Sequence, residues 1–199
     1  LPWVRHHANG KPTGKGLNAV ILGAGPIGIL GAMTMKAAGF ETYVYNRSPL
    51  PNPKAEIVEA IGANYISSND VAFKDLPGLV GSIDLVYEAI GISSVAFDVL
   101  SILGVNGVYI FTGIPAPGDS IPVDANQLMR SVVLGNQAVI GTVNADDASF
   151  KAAIKDLAYF KKHWPEAIEA VITKRYAIDS CRELLLDRAT GIKNVISFD

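Results

Sequence analysis

With 199 residues, 49% of them apolar and only 18% charged, the chain carries enough hydrocarbon to bury a full core, which excludes an intrinsically disordered segment. A formal net charge of -2 provides no basic field for nucleic acid. No apolar run is long enough to span a bilayer and no secretory leader pattern is present; the single cysteine, Cys181, rules out an internal disulfide and suits the reducing cytoplasm, where the protein is expected.

Residues 1–17 hold Pro2, Gly10, Pro12, Gly14 and Gly16 among scattered charges and read as a linker. His6 and His7 have no carboxylate or cysteine partner at ligand spacing and read as solvated. An apolar run of strand type over 18–22 leads into Gly23-Ala24-Gly25-Pro26-Ile27-Gly28, and the spacing predicts a helix over 26–38. Strand, glycine turn and helix in that order suit the pyrophosphate of a dinucleotide. Gly23 allows the tight turn, Gly25 has no side chain to block the phosphates, and Gly28 lets helix and strand pack closely. Pro26 occupies a first-turn position where a missing N–H costs no helix bond, and the free N–H groups of that turn face the anion. Without its neighbours such a turn would be a weak signal. Here the strand, the helix and the next strand all stand at the expected distances.

Residues 41–45 form the second strand, which ends in Asn46-Arg47-Ser48. An NAD-selective site places an acid at this strand end to hold both ribose hydroxyls. None is present, since Glu41 lies at the opposite end of the strand. A carboxylate would repel a 2′-phosphate, whereas Arg47 would attract it and stack on the adenine. Asn46 and Ser48 add neutral hydrogen bonds. NADP is therefore the expected dinucleotide, with NAD a further candidate.

A helix is expected over 54–61 and a third strand over 63–66. A weak helical stretch over 71–79 is broken by Pro77. The fourth strand, 82–90, is apolar enough to be buried on both faces. It ends in Glu88-Ala89-Ile90-Gly91, which places Ala89 at the cofactor crevice. Glu88 reads as a strand-end carboxylate without a catalytic role. A helix over 95–103 precedes a fifth strand over 107–111, which runs into Thr112-Gly113-Ile114. A helix from about 124 to 134 has Asp124 and Asn126 as candidate caps. A sixth strand over 138–143 ends at Asn144. This alternation predicts an α/β fold, a doubly wound parallel sheet of Rossmann type. An amphipathic helix follows over 148–160, with Ile154, Leu157 and Ala158 on one side and lysines on the other. His163 reads as surface or satisfied core. Beyond Pro165, a strand over 172–178, a helix over 180–188 and a strand over 194–198 leave the alternation and suggest a separate unit.

Gly23 to Gly28, Asn46-Arg47-Ser48, Val139-Ile140-Gly141-Thr142-Val143-Asn144 and Val171-Ile172-Thr173-Lys174 together resemble the cofactor-binding half of the medium-chain dehydrogenase/reductase family, and within it the glucose 1-dehydrogenase type. The likeness runs from about Asn18 to the end of the chain. It implies NADP-dependent oxidation of an aldose at its anomeric carbon. By this resemblance the phosphates lie on Ala24, Gly25, Pro26 and Ile27, and the 2′-phosphate on Asn46, Arg47 and Ser48. Thr112, Gly113 and Ile114 line the nicotinamide side, as do Thr142, Val143 and Asn144, with Asn144 also near the sugar. Arg188 is the candidate for a basic cofactor contact near the chain end.

Zinc-dependent members of this family carry catalytic zinc and substrate residues in a preceding domain. One cysteine and three histidines offer no ligand pair at motif spacing, so neither a metal site nor a catalytic residue is assigned to this chain. The expected organisation is a linker over 1–17 from a preceding catalytic domain, an NADP-binding domain over 18–165, and a segment over 166–199 returning to the catalytic domain. Partners are a small sugar and, through the Rossmann domain, a second copy of the chain; neither nucleic acid nor a membrane is expected. The alternatives are a stand-alone dinucleotide-sensing module, a methyltransferase, or a zinc-free quinone reductase or other medium-chain alcohol dehydrogenase. The first two would carry an acid at the second strand end.

Overall fold

The computed structural model describes residues 14–186 and 190–198. Six strands form one parallel sheet: β1 (Asn18–Leu22), β2 (Glu41–Asn46), β3 (Asn64–Ser67), β4 (Leu85–Glu88), β5 (Val108–Phe111) and β6 (Ala138–Gly141). Their order is β3-β2-β1-β4-β5-β6. Helices α1 (Pro26–Ala37), α2 (Pro53–Ala60), α3 (Leu76–Val80), α4 (Ser93–Leu100) and α5 (Ala125–Leu134) connect them. This is the expected doubly wound sheet, with its strand order reversing between β1 and β4.

Successive residues of a strand point to opposite faces, so β1 feeds two cores. Ile21 joins one apolar cluster with Ala24, Ile29, Met33, Ile57 and Val58. Val20 and Leu22 join another with Val86, Val99, Leu100 and Tyr109 on the opposite face. Four β1 residues, Ala19 to Leu22, are fully buried, which is why this strand lacks polar alternation. Gly31 thins α1 over the sheet, because a Cβ there would come within 2.7 Å of the Tyr87 ring.

Caps set the helix starts. The Asn52 side chain accepts from the N–H groups of Lys54 and Ala55 at 3.0 Å each, starting α2. Asp124 caps α5 by accepting from Gln127 N–H at 2.9 Å, while Asn126 lies inside the helix and is not the cap. Pro77 does not break a helix. A 3-10 turn over Phe73–Asp75 gives way to α3, and Pro77 sits in its first turn, where no N–H is required. The fourth strand is shorter than its apolar run because its first residues turn to hold Asn18. Asp84 accepts from the Asn18 backbone N–H at 2.8 Å, and Ser82 and Val80 carbonyls accept from its side chain. The fold also begins before residue 18: Gly14 is buried and donates its N–H to the Ala38 carbonyl at 2.8 Å. Residues 1–13, with His6 and His7, lie outside the described residues.

Helix α6 (Asp147–His163) is longer than expected, and its apolar side is not buried. Ile154 is 68% exposed and Leu157 44%, while Phe160 is the buried residue of the helix. His163 lies at its exposed end, stacked on Tyr159. Helix α7 (Pro165–Val171) places Ala167 and Val171 in the first apolar cluster beside α2. Strands β7 (Ile172–Ala177) and β8 (Lys193–Ser197) form a separate two-stranded parallel sheet linked through α8 (Cys181–Leu186). Among the described residues, no helix is long and apolar enough to cross a membrane.

Candidate cofactor crevice

The strand register brings the predicted segments together. Leu22 pairs with Tyr45 on one side and Glu88 on the other; Glu88 pairs with Phe111, and Phe111 with Gly141. The residues next in sequence are Gly23, Asn46, Ala89, Thr112 and Thr142. They form one row along the carboxyl edge of the sheet. With neighbouring strands roughly 4.8 Å apart, the row from Asn46 to Thr142 spans about 19 Å. It crosses the β1/β4 reversal, where doubly wound sheets bind ligands.

The glycine turn stands at its centre, and each glycine has its own reason. Gly23 adopts a φ of +97°, in the region that favours glycine, and donates its N–H to the Tyr45 carbonyl at 2.9 Å. At Gly28 a Cβ would overlap the Gly23 carbonyl oxygen, so only glycine lets α1 approach β1 this closely. Gly25 is different. Its φ of -80° suits any residue, and a Cβ would meet no atom within 4 Å. That open space lies over the start of α1, whose first backbone bond runs from Ile29 N–H to the Gly25 carbonyl. No side chain caps the helix and no acid lies in its first turn, so its early N–H groups and positive dipole end face the crevice. A pyrophosphate fits this cradle.

At the β2 end, Asn46, Arg47 and Ser48 form a braced turn. The Asn46 carbonyl accepts from Ser68 N–H at 2.9 Å. Asn46 Nδ2 donates to Tyr65 Oη at 2.8 Å, and Tyr65 Oη donates to the Ser48 carbonyl at 2.9 Å. Arg47 is exposed and forms no ion pair with any described residue. Its guanidinium is available to a ligand anion.

On the other side of the reversal, Glu88 organises two loops, a role its sequence position does not reveal. Its side chain is 1% exposed. Oε1 accepts from Ile90 N–H at 2.8 Å and Gly91 N–H at 2.7 Å, and Oε2 accepts from Gly113 N–H at 3.0 Å. Thr112 Oγ1 donates to the Glu88 carbonyl at 2.6 Å. The loops interlock so tightly that a Cβ on Gly91 would lie 2.7 Å from the Ile114 carbonyl oxygen. Glu88 thus stitches the loop after β4 to the loop after β5 and gives Ala89, Thr112 and Gly113 fixed positions. The side chain of Ile114 is 75% exposed. At the far end of the row, Thr142 donates its N–H to the Phe111 carbonyl at 3.0 Å, and Val143 and Asn144 lie exposed beyond it. Arg188 lies outside the described residues.

Two cavities flank this framework. One of about 290 Å3 is lined by Glu88, Gly91, Phe111, Gly113 and Pro115, directly beside the stitched loops. Another of about 620 Å3 lies between α2 and α7, and none of the predicted cofactor residues lines it. Among the described residues, no group of three or more His, Cys, Asp or Glu could hold a metal ion.

The family model for the glucose dehydrogenase C-terminus matches residues 5–198. The chain belongs to the glucose dehydrogenase family. Glucose 1-dehydrogenase of Halobacterium salinarum is 35% identical over 185 residues, covering 92% of this chain and 51% of that protein. Glucose 1-dehydrogenase 2 of Haloterrigena turkmenica is 32% identical over 186 residues, with the same coverage of 92% and 51%. The chain therefore spans about half the length of the curated relatives it matches. Among solved structures, glucose dehydrogenase of Haloferax mediterranei in complex with NADP, Zn and gluconolactone superposes with a TM-score of 0.82 at 29% identity, over 98% of this chain and 53% of that one. An alcohol dehydrogenase of Thermotoga maritima, at 21% identity and a TM-score of 0.73, shares the fold over 92% of this chain and 49% of its own.

Proposed function

We propose that this chain is the NADP-binding portion of a glucose (aldose) 1-dehydrogenase, which oxidises its sugar at the anomeric carbon. Bound NADP supplies the hydride acceptor. The backbone of Ala24, Gly25, Pro26 and Ile27, with the open N–H groups of α1, holds the pyrophosphate. Arg47 takes the 2′-phosphate with charge-assisted hydrogen bonds, and Asn46 and Ser48 add neutral ones. Ala89, Thr112, Gly113 and Ile114 line the nicotinamide side, Glu88 keeping their backbone in place. Thr142, Val143 and Asn144 line the nicotinamide side as well, and Asn144 also lies near the sugar. Arg188 is a second basic contact to the cofactor.

Zinc and most substrate residues belong to a preceding domain, so no catalytic residue is assigned among residues 1–199. The β7–β8 pair supports this organisation. Among the described residues both outer edges of that sheet are unpaired, and two strands alone are marginal in water. We place 166–199 as a return to the preceding domain, 18–165 as the cofactor domain and 1–17 as the connector. The edge strand β6 exposes Val139 and Ile140, and α5 exposes Met129, Val133 and Leu134. A second copy covers this face, making the protein a homo-oligomer through the cofactor domain. The single cysteine suits a cytoplasmic location.

The observation that carries the reading is the single row of Asn46, Gly23, Ala89, Thr112 and Thr142, with an amide cradle at its centre and an arginine at one end. Calorimetric titration tests the cofactor assignment. Arg47→Ala is expected to weaken NADP binding by roughly 1–3 kcal/mol and NAD binding by clearly less, since only the adenine stacking is lost there. Unaltered NADP binding would reduce Arg47 to an exposed side chain and remove the assignment.

A further inference from the structure

Tyr65 stands outside the row, on β3, and is 9% exposed within the same apolar cluster as Val44, Ile57 and Val58. Its partner across the register is Val44, and Asn46 lies two residues further along β2, on the same face. The ring therefore reaches diagonally along the sheet, and its hydroxyl arrives under the turn that holds Arg47. One oxygen grips both ends of that turn, accepting from Asn46 Nδ2 at 2.8 Å and donating to the Ser48 carbonyl at 2.9 Å. The directions are interdependent. Tyr65 has one hydroxyl hydrogen, which is used on Ser48, so Asn46 must present its amide N–H to the oxygen. The hydroxyl thus fixes which way the Asn46 amide faces and how far Ser48 stands from Asn46. Arg47 lies between these two anchored residues, and its own long side chain has no brace among the described residues.

We propose that Tyr65 is a positioning residue for coenzyme selectivity, holding the Asn46-Arg47-Ser48 turn in the shape that receives the 2′-phosphate. The inference rests on the NADP assignment above and extends it to a residue that touches no cofactor. A guanidinium meets a phosphate well only when the backbone beneath it is held, since otherwise binding must order the turn as well as the side chain. NAD has no 2′-phosphate and draws less from that ordering.

Tyr65→Phe isolates the hydroxyl, because the ring remains to fill the core and the Ser68 N–H bond to the Asn46 carbonyl remains to hold one end of the turn. Calorimetric titration of both dinucleotides, well below the melting transition of each variant, is the test. Tyr65→Phe is expected to weaken NADP binding about three- to tenfold, the range for one hydrogen bond, with NAD binding altered less than about twofold. In an Arg47→Ala background the same substitution is expected to have a smaller effect on NADP, limited to the neutral bonds from Asn46 and Ser48, because the larger part of the loss runs through Arg47. An unchanged NADP affinity overturns the inference, as does an equal loss for NADP and NAD, or a loss of the same size with and without Arg47. A wild-type chain that does not prefer NADP overturns the cofactor assignment and this inference together. A wild-type chain that prefers NADP while Tyr65→Phe retains that preference undiminished overturns the inference alone.

Discussion

Gly25 and Gly28 lie three residues apart, and a methyl group at each should fail in a different way. At Gly28 it would strike the Gly23 carbonyl oxygen, so Gly28→Ala is expected to lower the melting temperature markedly. At Gly25 it would enter empty space with an ordinary φ, so Gly25→Ala should melt like the parent chain yet lose dinucleotide binding in calorimetry. If Gly25→Ala bound NADP normally, the space over the start of α1 would not be where the pyrophosphate sits. Glu88 offers a second contrast. Its carboxylate accepts three backbone N–H bonds while fully buried, and the amide of Glu88→Gln cannot accept them all. A loss of about 1–3 kcal/mol is expected in urea unfolding; a neutral effect would mean that the two loops hold each other without it. The roles of Gly23 and Gly28 were legible in sequence because each follows from a residue's own size in a known order of elements. The roles of Glu88 and Tyr65 were not. They depend on which backbone groups converge on one side-chain oxygen across distant segments, and nothing local in Leu85-Val86-Tyr87-Glu88 or Asn64-Tyr65 specifies that.

Helix α6 shows what apolar periodicity can and cannot determine. Ile154, Leu157 and Ala158 at helical spacing identified the helix, but periodicity does not say what will cover the stripe. Here Phe150, Ile154 and Leu157 are exposed. The helix starts at Asp146, whose carboxylate accepts from the Ser149 hydroxyl and from the Ser149 N–H. Those two bonds, the hydroxyl first, hold the Asp146 carboxyl below the ordinary aspartate range. A carboxyl with a lowered folded pKa contributes stability above its unfolded value, about 3.9. That contribution is lost as pH falls through the lower folded value. Asp146→Asn keeps an acceptor, so the chain should lose this acid dependence while remaining close to parental stability at neutral pH. Melting curves between neutral and acid pH check this, and equal acid sensitivity in both chains would remove Asp146 from the account. Strand and helix ends differed from expectation where polar side chains redirect the backbone, as Asn18 and Asp84 do before β4.

For the whole molecule, the alternation of elements specified the parallel sheet, and the sheet specified the crevice. Once β1 is flanked by β2 and β4, the register alone carries Asn46, Gly23, Ala89, Thr112 and Thr142 to one edge. The surface around β6 was not legible, because a strand reads alike whether its open edge meets water or another chain. Sedimentation of the parent chain is expected to show self-association that Ile140→Lys abolishes, since an inserted charge on an edge strand opposes pairing. A parent chain that stays monomeric at every concentration would contradict the oligomer proposal.

The measurement that bears most directly on the central claim is a crystal structure of this chain with NADP. The account predicts phosphate density against the first N–H groups of α1 over Gly25, the 2′-phosphate on the Arg47 guanidinium, and the nicotinamide beside Thr112 and Gly113. An empty crevice at saturating NADP, or an adenosine ribose lying away from Arg47, would contradict it.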